Sequence, residues 1–299
     1  TPTPIIPLDP YAQDITIFLP DGTPIPLTLA DVDYWASYGI RICINYASQI
    51  GASLVLLAVL LVLTLPQPHK RTSPVFALNA LALATNGVRS ILQCLYFTGP
   101  WYVAYAFFGF DYSGVPARDV GISCAASVLT LVTLGFIEAS LVLQVHVVHV
   151  TARGLTKYGL LLMTALVAVM AIGFRFALTV LNCEAIVAKA PFDEWRWLAH
   201  ANNITTTISI FVFSAIFVAK LALAMGDRKR LGMKQYGAMR VIFIMGCQTM
   251  VVPAIFSALQ YFTDAPELGS QVITIVALFL PLSAIWAHST MSAATGSSS

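Results

Sequence analysis

Charge is what this sequence has least of. Only 10% of its 299 residues are Asp, Glu, Lys or Arg, while 58% are apolar; an ordinary soluble domain carries about 25% charged residues. A water-soluble core of this length would not leave so little charge for its surface, so composition excludes an ordinary soluble globule. Cysteine is sparse too, with five residues and neither a CxxC nor any other metal-ligand spacing. Catalytic patterns are absent: there is no HExxH, no GxSxG, no phosphate loop and no pair of intramembrane aspartates. His69, His146, His149 and His288 lie on different segments without acidic companions, which argues against a metal site. No cofactor and no nucleic-acid partner are expected.

What the sequence does have is long apolar runs. Seven of them, near 39–65, 75–98, 121–150, 157–181, 203–225, 236–262 and 270–290, are long enough to cross a hydrocarbon layer, which takes about 20 helical residues. The expected architecture is an all-α membrane protein, a seven-transmembrane helix bundle in the lipid bilayer. Basic residues fix the expected orientation. The connections after the first, third and fifth runs hold Lys70 and Arg71, then Arg153 and Lys157, then Arg228, Lys229, Arg230 and Lys234. The opposite side has few: the N-terminal segment carries five Asp and no Lys or Arg, and its other loops hold only Arg118, Lys189 and Arg196. The N-terminus is therefore expected outside and the C-terminus inside. Residues 1–38 form the expected extracellular segment, 39–291 the transmembrane domain, and 292–299 the start of a cytoplasmic tail. No charged-then-apolar leader is present, so the first run itself is expected to direct membrane insertion.

Within the outer segment, residues 15–29 read as two extended stretches around a turn at Pro20-Asp21-Gly22, a small extracellular β-hairpin. A disordered arm is the alternative, because a lone hairpin is marginal in water. Aromatic residues crowd the next outer loop: Trp101, Tyr102, Tyr105, Phe107, Phe108, Phe110 and Tyr112. They suit the membrane interface, and part of the group suits a ligand surface. Asn203-Ile-Thr fits the glycosylation pattern but lies at the mouth of the fifth run, too close to the bilayer to favour transfer. Cys94, Cys124 and Cys183 fall near outer ends of the second, third and fourth runs, which leaves one disulfide among them open. Cys43 and Cys247 read as small packed groups.

Ionisable groups at membrane depth are expensive and mark functional candidates. Arg41, Arg175 and Lys220 sit toward run ends, where long side chains can reach the interface. Arg89 is deeper and fits a polar cavity, and Glu138 requires a partner or a proton. Asn79, Gln144 and Gln248 are amides in the expected cytoplasmic halves of their helices; such groups bond across helices for about 0.6–2 kcal/mol. Pro253 and Pro281 interrupt the sixth and seventh helices and free carbonyls there. Ala47 and Gly51 supply a small-xxx-small spacing that allows close helix approach. A transporter or light-driven pump is the alternative reading, and it calls for carboxylate relays, inverted repeats or a retinal lysine. The seventh run has no Lys. An intramembrane enzyme would need a nucleophile with a base, and Glu138 has no evident companion.

Several segments together resemble a known family. They are Leu231-Gly-Met-Lys-Gln-Tyr236, Ile244-Met-Gly-Cys-Gln-Thr249 with Val252-Pro253, Leu280-Pro-Leu-Ser-Ala-Ile-Trp286, Ile137-Glu-Ala-Ser-Leu-Val-Leu-Gln144 and Ser73-Pro-Val-Phe-Ala-Leu-Asn79. They resemble the fungal α-factor-type mating pheromone receptors, the class D G-protein-coupled receptors, over essentially the whole membrane region. The resemblance implies a plasma-membrane receptor that binds a secreted peptide pheromone among its outer helix ends and couples to a heterotrimeric G protein inside. It implies hydrogen bonding between Asn79 and Gln144 across the second and third helices, and a switch region at Gln248, Thr249 and Pro253, to which Pro281 is added here as the second kink. It also places a ligand-contacting tyrosine at Tyr261 and a homodimer contact at Ala47 and Gly51 with help from the hairpin; the basic inner residues Arg153, Arg228, Lys229 and Arg230 are the expected G-protein coupling set, although positive-inside topology alone would place such charges there.

The sequence departs from the family pattern at several places. A Tyr and an Asn lining the third helix are replaced by Ser123 and Ser127, and an Asn at the mouth of the fifth becomes His200 with Asn202 nearby. Arg89 stands where the family carries a His, and Ala47 replaces the first of two glycines. The expected ligand-binding set is Tyr261, His200, Asn202, Ser123, Ser127, Arg89, Tyr102 and Tyr105, with a peptide preference of its own.

Overall fold

The computed structural model describes residues 9–65, 73–148, 155–190, 192, 195–230, 251–262 and 267–296. Two strands open the chain: β1 (Asp14–Phe18) and β2 (Pro24–Thr28) pair antiparallel with Asp14 opposite Thr28 and Phe18 opposite Pro24. The five-residue connection, closed to a three-residue loop Pro20–Gly22 by the bond between Leu19 and Thr23, follows from its sequence. Pro20 pre-sets the first turn position, Asp21 accepts from the Thr23 N–H at 2.9 Å, and Gly22 takes φ +82°, a left-handed value that suits glycine. Leu19 and Thr23 close the loop, and Gln13 accepts from Leu29 at the other end. That alternation turns Pro24 and Pro26 away from β1, so their missing N–H groups cost the ladder nothing.

The first helix, α1 (Leu29–Thr64), starts ten residues before the apolar run because of a capping box. The Thr28 hydroxyl serves the Asp31 N–H while the Asp31 carboxylate takes the Thr28 N–H at 2.9 Å. Then come α2 (Pro74–Thr98), with Pro at its first turn, the short α3 (Ala104–Gly109), α4 (Ala117–Val148), α5 (Leu155–Ala188) and α6 (Arg196–Arg230). All but α3 are long and apolar enough to cross a membrane. The sixth run is helical over 251–259, here α7, and the seventh forms α8 (Glu267–Gly296), whose apolar part Leu268–Leu282 is shorter.

The helices pack as a bundle in which α2 lies against α1, α4 and α8, α4 against α2 and α5, and α6 against α5. Burial runs opposite to that of a soluble protein. The inward stripe of α2 is Asn79, Ala82, Leu83, Asn86, Arg89 and Ser90, and that of α1 includes Asn45, Gln49 and Ser53. Leu54, Val55, Val59, Val62, Leu81 and Val88 are exposed. A shared apolar core does exist lower in the bundle, where Ile137 and Leu141 of α4, Phe213 of α6 and Val276, Ala277 and Leu280 of α8 meet.

An aromatic cluster caps the end that carries the hairpin. Tyr102 is its centre, stacked on Trp35 at 5.1 Å and edge-on to Phe97 and Phe107 at 5.1 and 5.6 Å, with its hydroxyl donating to the Trp35 carbonyl at 2.7 Å. The hairpin leans on it through Leu19, which lies over Gly109. Beneath Tyr102, Gly39 leaves room for the ring: a Cβ there would sit 2.5 Å from Cε1. Gly39→Ala is expected to destabilise the solubilised protein by about 1–3 kcal/mol, because the ring is held on three sides. Gly173→Ala, where a Cβ would meet nothing within 4 Å, is expected to leave the melting temperature unchanged or raise it. Equal melting temperatures for the two variants would contradict the close approach.

Candidate functional site

The most extensive side-chain network joins α1, α2 and α8. Arg89 is 2% exposed, and its Nη2 donates to Gln49 Oε1 at 3.1 Å and Thr274 Oγ1 at 3.3 Å, with the Ser270 carbonyl at 3.5 Å. The Thr274 hydroxyl lies 2.6 Å from Gln49 Oε1 and 3.2 Å from Asn86 Oδ1. From there the chain of bonds runs to Ser53 through Asn86 at 2.9 Å, and to Asn45 through Gln49 at 3.3 Å. Gln271 closes it by donating to Asn45 Oδ1 at 2.6 Å. The guanidinium thus sits among neutral acceptors, and its Nε is buried without a hydrogen-bond partner among the described residues.

Each remaining seam has its own polar link. Between α2 and α4, Ser140 donates to Asn79 Oδ1 at 2.6 Å and accepts from Gln144 Nε2 at 3.3 Å, so Asn79 and Gln144 connect through a serine rather than directly. Higher on that seam Thr133 meets Thr85 at 3.0 Å. Between α4 and α5, Asn182 donates to Ser127 at 2.7 Å. Between α4 and α6, the Ser209 hydroxyl reaches both carboxylate oxygens of Glu138 at 2.7 Å, and Glu138 is 1% exposed. Between α6 and α7, Thr207 is a three-way node with Ser257 at 2.9 Å, Gln260 at 3.0 Å and the Tyr261 hydroxyl at 3.1 Å. Pro253 and Pro281 are both buried, and Pro253 lines a small apolar cavity with Leu141, Ile210, Ser214, Val276 and Leu280.

The expected ligand residues divide by position. Tyr261 and His200 are exposed, Tyr261 while bonded to Thr207. Asn202 is buried, and its Oδ1 has no partner among the described residues. The Ser123 hydroxyl is turned to the Asp119 carbonyl of its own helix at 3.0 Å, and Ser127 is engaged by Asn182. Burial holds the Tyr102 phenol up at about 12. Tyr105, exposed on the same loop, donates to Asp111 at 3.2 Å, and the Ser113 hydroxyl and N–H hold that carboxylate below its usual range. Nearby, Lys189 at φ +53° ties the end of α5 to the loop by donating to the Ser113 and Val115 carbonyls at 3.0 and 2.8 Å.

Ala47 and Gly51 lie on the exposed face of α1, and nothing approaches within 4 Å of where a Gly51 Cβ would stand. Arg153, Gln248 and Thr249 lie outside the described residues, as do the side chains of Arg228, Lys229 and Arg230. Among the described residues no three His, Cys, Asp or Glu side chains gather as metal ligands do. The Asn203 pattern is helical and its Thr205 is buried, with the hydroxyl turned to the Ala201 carbonyl at 2.9 Å. Sequence reasoning missed Asn45, Gln49, Asn86, Ser270 and Thr274. Their signal was spacing: Asn45, Gln49 and Ser53 fall at i, i+4, i+8, and Asn86 with Arg89 and Ser90 at i, i+3, i+4.

Comparison with known proteins adds an independent line. A family model described as "Fungal pheromone mating factor STE2 GPCR" matches residues 8–288. The pheromone alpha factor receptor of Saccharomyces cerevisiae is 31% identical over 229 residues, covering 73% of this chain and 52% of that protein. The corresponding receptor of Lachancea kluyveri is 25% identical over 279 residues, 90% of this chain and 63% of that protein. The pheromone P-factor receptor of Schizosaccharomyces pombe is 25% identical over 284 residues, 93% and 80%. The chain thus spans about half the length of the Saccharomyces receptor it matches.

The Arg89 network makes a quantitative prediction. Gln49→Leu removes an acceptor shared by Arg89 and Thr274 and is expected to destabilise the protein by about 1–3 kcal/mol or more. In the Arg89→Met background the same change is expected to cost less, with a coupling of about 0.5–3 kcal/mol. Thermal unfolding of the four proteins in one detergent measures the cycle, and additive effects would show that Arg89 does not depend on Gln49.

Proposed function

The chain belongs to the fungal pheromone mating factor STE2 GPCR family, and from that premise we propose that it is a cell-surface receptor for a secreted peptide mating pheromone, signalling through a heterotrimeric G protein. The observation that carries the reading is the family match over residues 8–288, which spans the five long apolar helices, α7 and most of α8. The relatives are named as receptors rather than enzymes.

In this reading all seven runs cross the plasma membrane, with the hairpin outside and the basic connections inside. The peptide occupies the hairpin end, where Tyr261, His200, Asn202, Ser123, Ser127, Arg89, Tyr102 and Tyr105 are its expected contacts; Ser123, Ser127, Arg89 and Tyr102 are buried and already bonded, so they become available only when the helices rearrange. Supporting this are the exposed Tyr261 and His200, and Asn202, whose buried Oδ1 has no partner among the described residues. Binding shifts the population toward a state in which α6, α7 and α8 are rearranged, and the ligand acts only through its differential affinity for the two states. Asn79, Gln144, Gln248, Thr249, Pro253 and Pro281 are the switch positions. Arg153, Arg228, Lys229 and Arg230 meet the G protein on the inner side, where positive charge also sets topology. Two copies associate through the α1 face at Ala47 and Gly51 and through the hairpins, as the exposed small-residue face allows.

Peptide-dependent nucleotide exchange on a co-purified Gα subunit tests the reading. Exchange is expected to rise with the matching pheromone and to fall at least several-fold when Arg228, Lys229 and Arg230 are changed to Ala; no stimulation by any candidate pheromone would sink it. Gln144→Leu breaks the Ser140 link and is expected to change basal exchange at equal surface expression. Unchanged basal activity together with unchanged peptide potency would remove Gln144 from the switch.

A further inference from the structure

We propose that this chain carries two disulfides, Cys43–Cys94 between α1 and α2 and Cys124–Cys183 between α4 and α5, forming a covalent brace at the hairpin end of the bundle. The four described cysteines do not scatter. Cys94 lies four residues before the end of α2, Cys124 seven residues into α4 and Cys183 five residues before the end of α5, which places them roughly 6–11 Å inside the helix ends. Cys43 of α1 is level with Cys94.

Each pair meets in the same way. The Cys94 Sγ lies 3.9 Å from the Cys43 carbonyl oxygen, and the Cys183 Sγ lies 3.9 Å from the Cys124 carbonyl oxygen. A disulfide needs Cα atoms about 4.4–6.8 Å apart, which neighbouring helices reach only where they pack closely. A thiol touching its partner's own backbone marks such a place, with the two thiols of each pair free and side by side in the structure. The sequence had suggested one bridge among Cys94, Cys124 and Cys183; the fold separates Cys94 from the other two and gives it Cys43.

The chemistry is thiol–disulfide exchange. One thiolate of a pair attacks a sulfur of a small or protein-bound disulfide, forming a mixed disulfide and releasing one thiol. The second cysteine attacks that bond, closes the intramolecular disulfide and releases the other thiol. Two protons and two electrons leave the pair, and the donor disulfide is reduced to two thiols. Such donors are abundant on the secretory side of the membrane, so the proposal rests on the orientation given above. The bridges would tie α1 to α2 and α4 to α5 while leaving α6, α7 and α8 uncrosslinked.

The test uses the full chain isolated without reductant, unfolded in excess maleimide, then reduced, labelled with a heavy maleimide and mapped by mass spectrometry. Heavy label at Cys43, Cys94, Cys124 and Cys183, with Cys43–Cys94 and Cys124–Cys183 linked peptides in the unreduced digest, is the expected result. Reductant is then expected to lower the melting temperature of this protein by several degrees and to leave the Cys94→Ser/Cys183→Ser variant unmoved. A second sample is treated with oxidised glutathione before labelling. Pairs that are reduced as isolated but bridge with the oxidant overturn the proposal through its orientation premise. Pairs that stay reduced in both samples overturn it through the geometry and leave the orientation untouched. A single bridge, or a different pairing, also overturns it.

Discussion

The structure depends on one constraint: hydrocarbon offers no hydrogen bonds, so every polar side chain within the membrane-spanning helices has to find its partner inside the bundle. Asn79, Asn86, Gln49, Thr133, Glu138 and Ser209 are buried, while Leu, Val and Ile make up much of the exposed surface. In water the hydrophobic effect would drive the leucines inward. Here both the lipid and the core are apolar, and what distinguishes one helix face from another is packing and the availability of polar partners. The rotation of each helix about its axis follows from that. The i, i+4 array of Asn45, Gln49 and Ser53 can be satisfied only by turning toward α2 and α8.

The same constraint divides the bundle into unequal parts. The α1–α2–α8 junction holds a buried cation among several neutral acceptors, and loosening it would strand Arg89. The α2–α4 seam adds Ser140 and the Thr85–Thr133 contact. By contrast α7 is joined to α6 by hydroxyls and one amide around Thr207, and α6 bonds to α4 through Ser209 on Glu138 beside their shared apolar packing. Neutral hydroxyl bonds exchange partners more readily than a desolvated guanidinium does. Pro253 lines the small cavity between α4, α6, α7 and α8, and Pro281 directly follows Leu280 of its lining, so two interrupted helix ladders lie next to that space.

Much of this was legible in the sequence. Five of the seven apolar runs appear as helices long and apolar enough to cross a membrane, because length and composition decide that, and Pro20-Asp21-Gly22 gave the hairpin because few turns accept that chemistry. The start of α1 at Leu29 was masked by polar residues that a capping box renders helical. Gln144 and Asn79 were noticed as isolated amides, but Ser140 between them was not, since serine is common in helices and carries no signal until a neighbour is known. Arg89 was visible as a deep cation. Its acceptors, Gln49 and Thr274, come from helices far apart in the chain, and only the tertiary fold brings them together. The aromatic loop shows a related limit: composition marked it as an interface or ligand surface, whereas Tyr102 and Trp101 are largely taken up in packing on each other's neighbours.

On the receptor reading proposed above, magnitudes connect these seams to signalling. Converting a receptor from about 1% to 99% of its active form takes roughly 5.5 kcal/mol of differential binding. A single interhelical hydrogen bond inside a membrane is worth about 0.6–2 kcal/mol. No one link therefore holds the resting state, and no peptide contact that exchanges one bond suffices. The Thr207 node and the Glu138–Ser209 pair together supply four close polar contacts if the two Glu138 oxygens count as one, which is the scale required. A peptide that engages Tyr261 competes with one of them directly. The others must follow through the shared backbone of α6, on which Thr207 and Ser209 are only two residues apart. That spacing puts the Thr207 node and Ser209, the partner of the buried Glu138 carboxylate, on different faces of α6, so a rotation or shift of that helix acts on both at once.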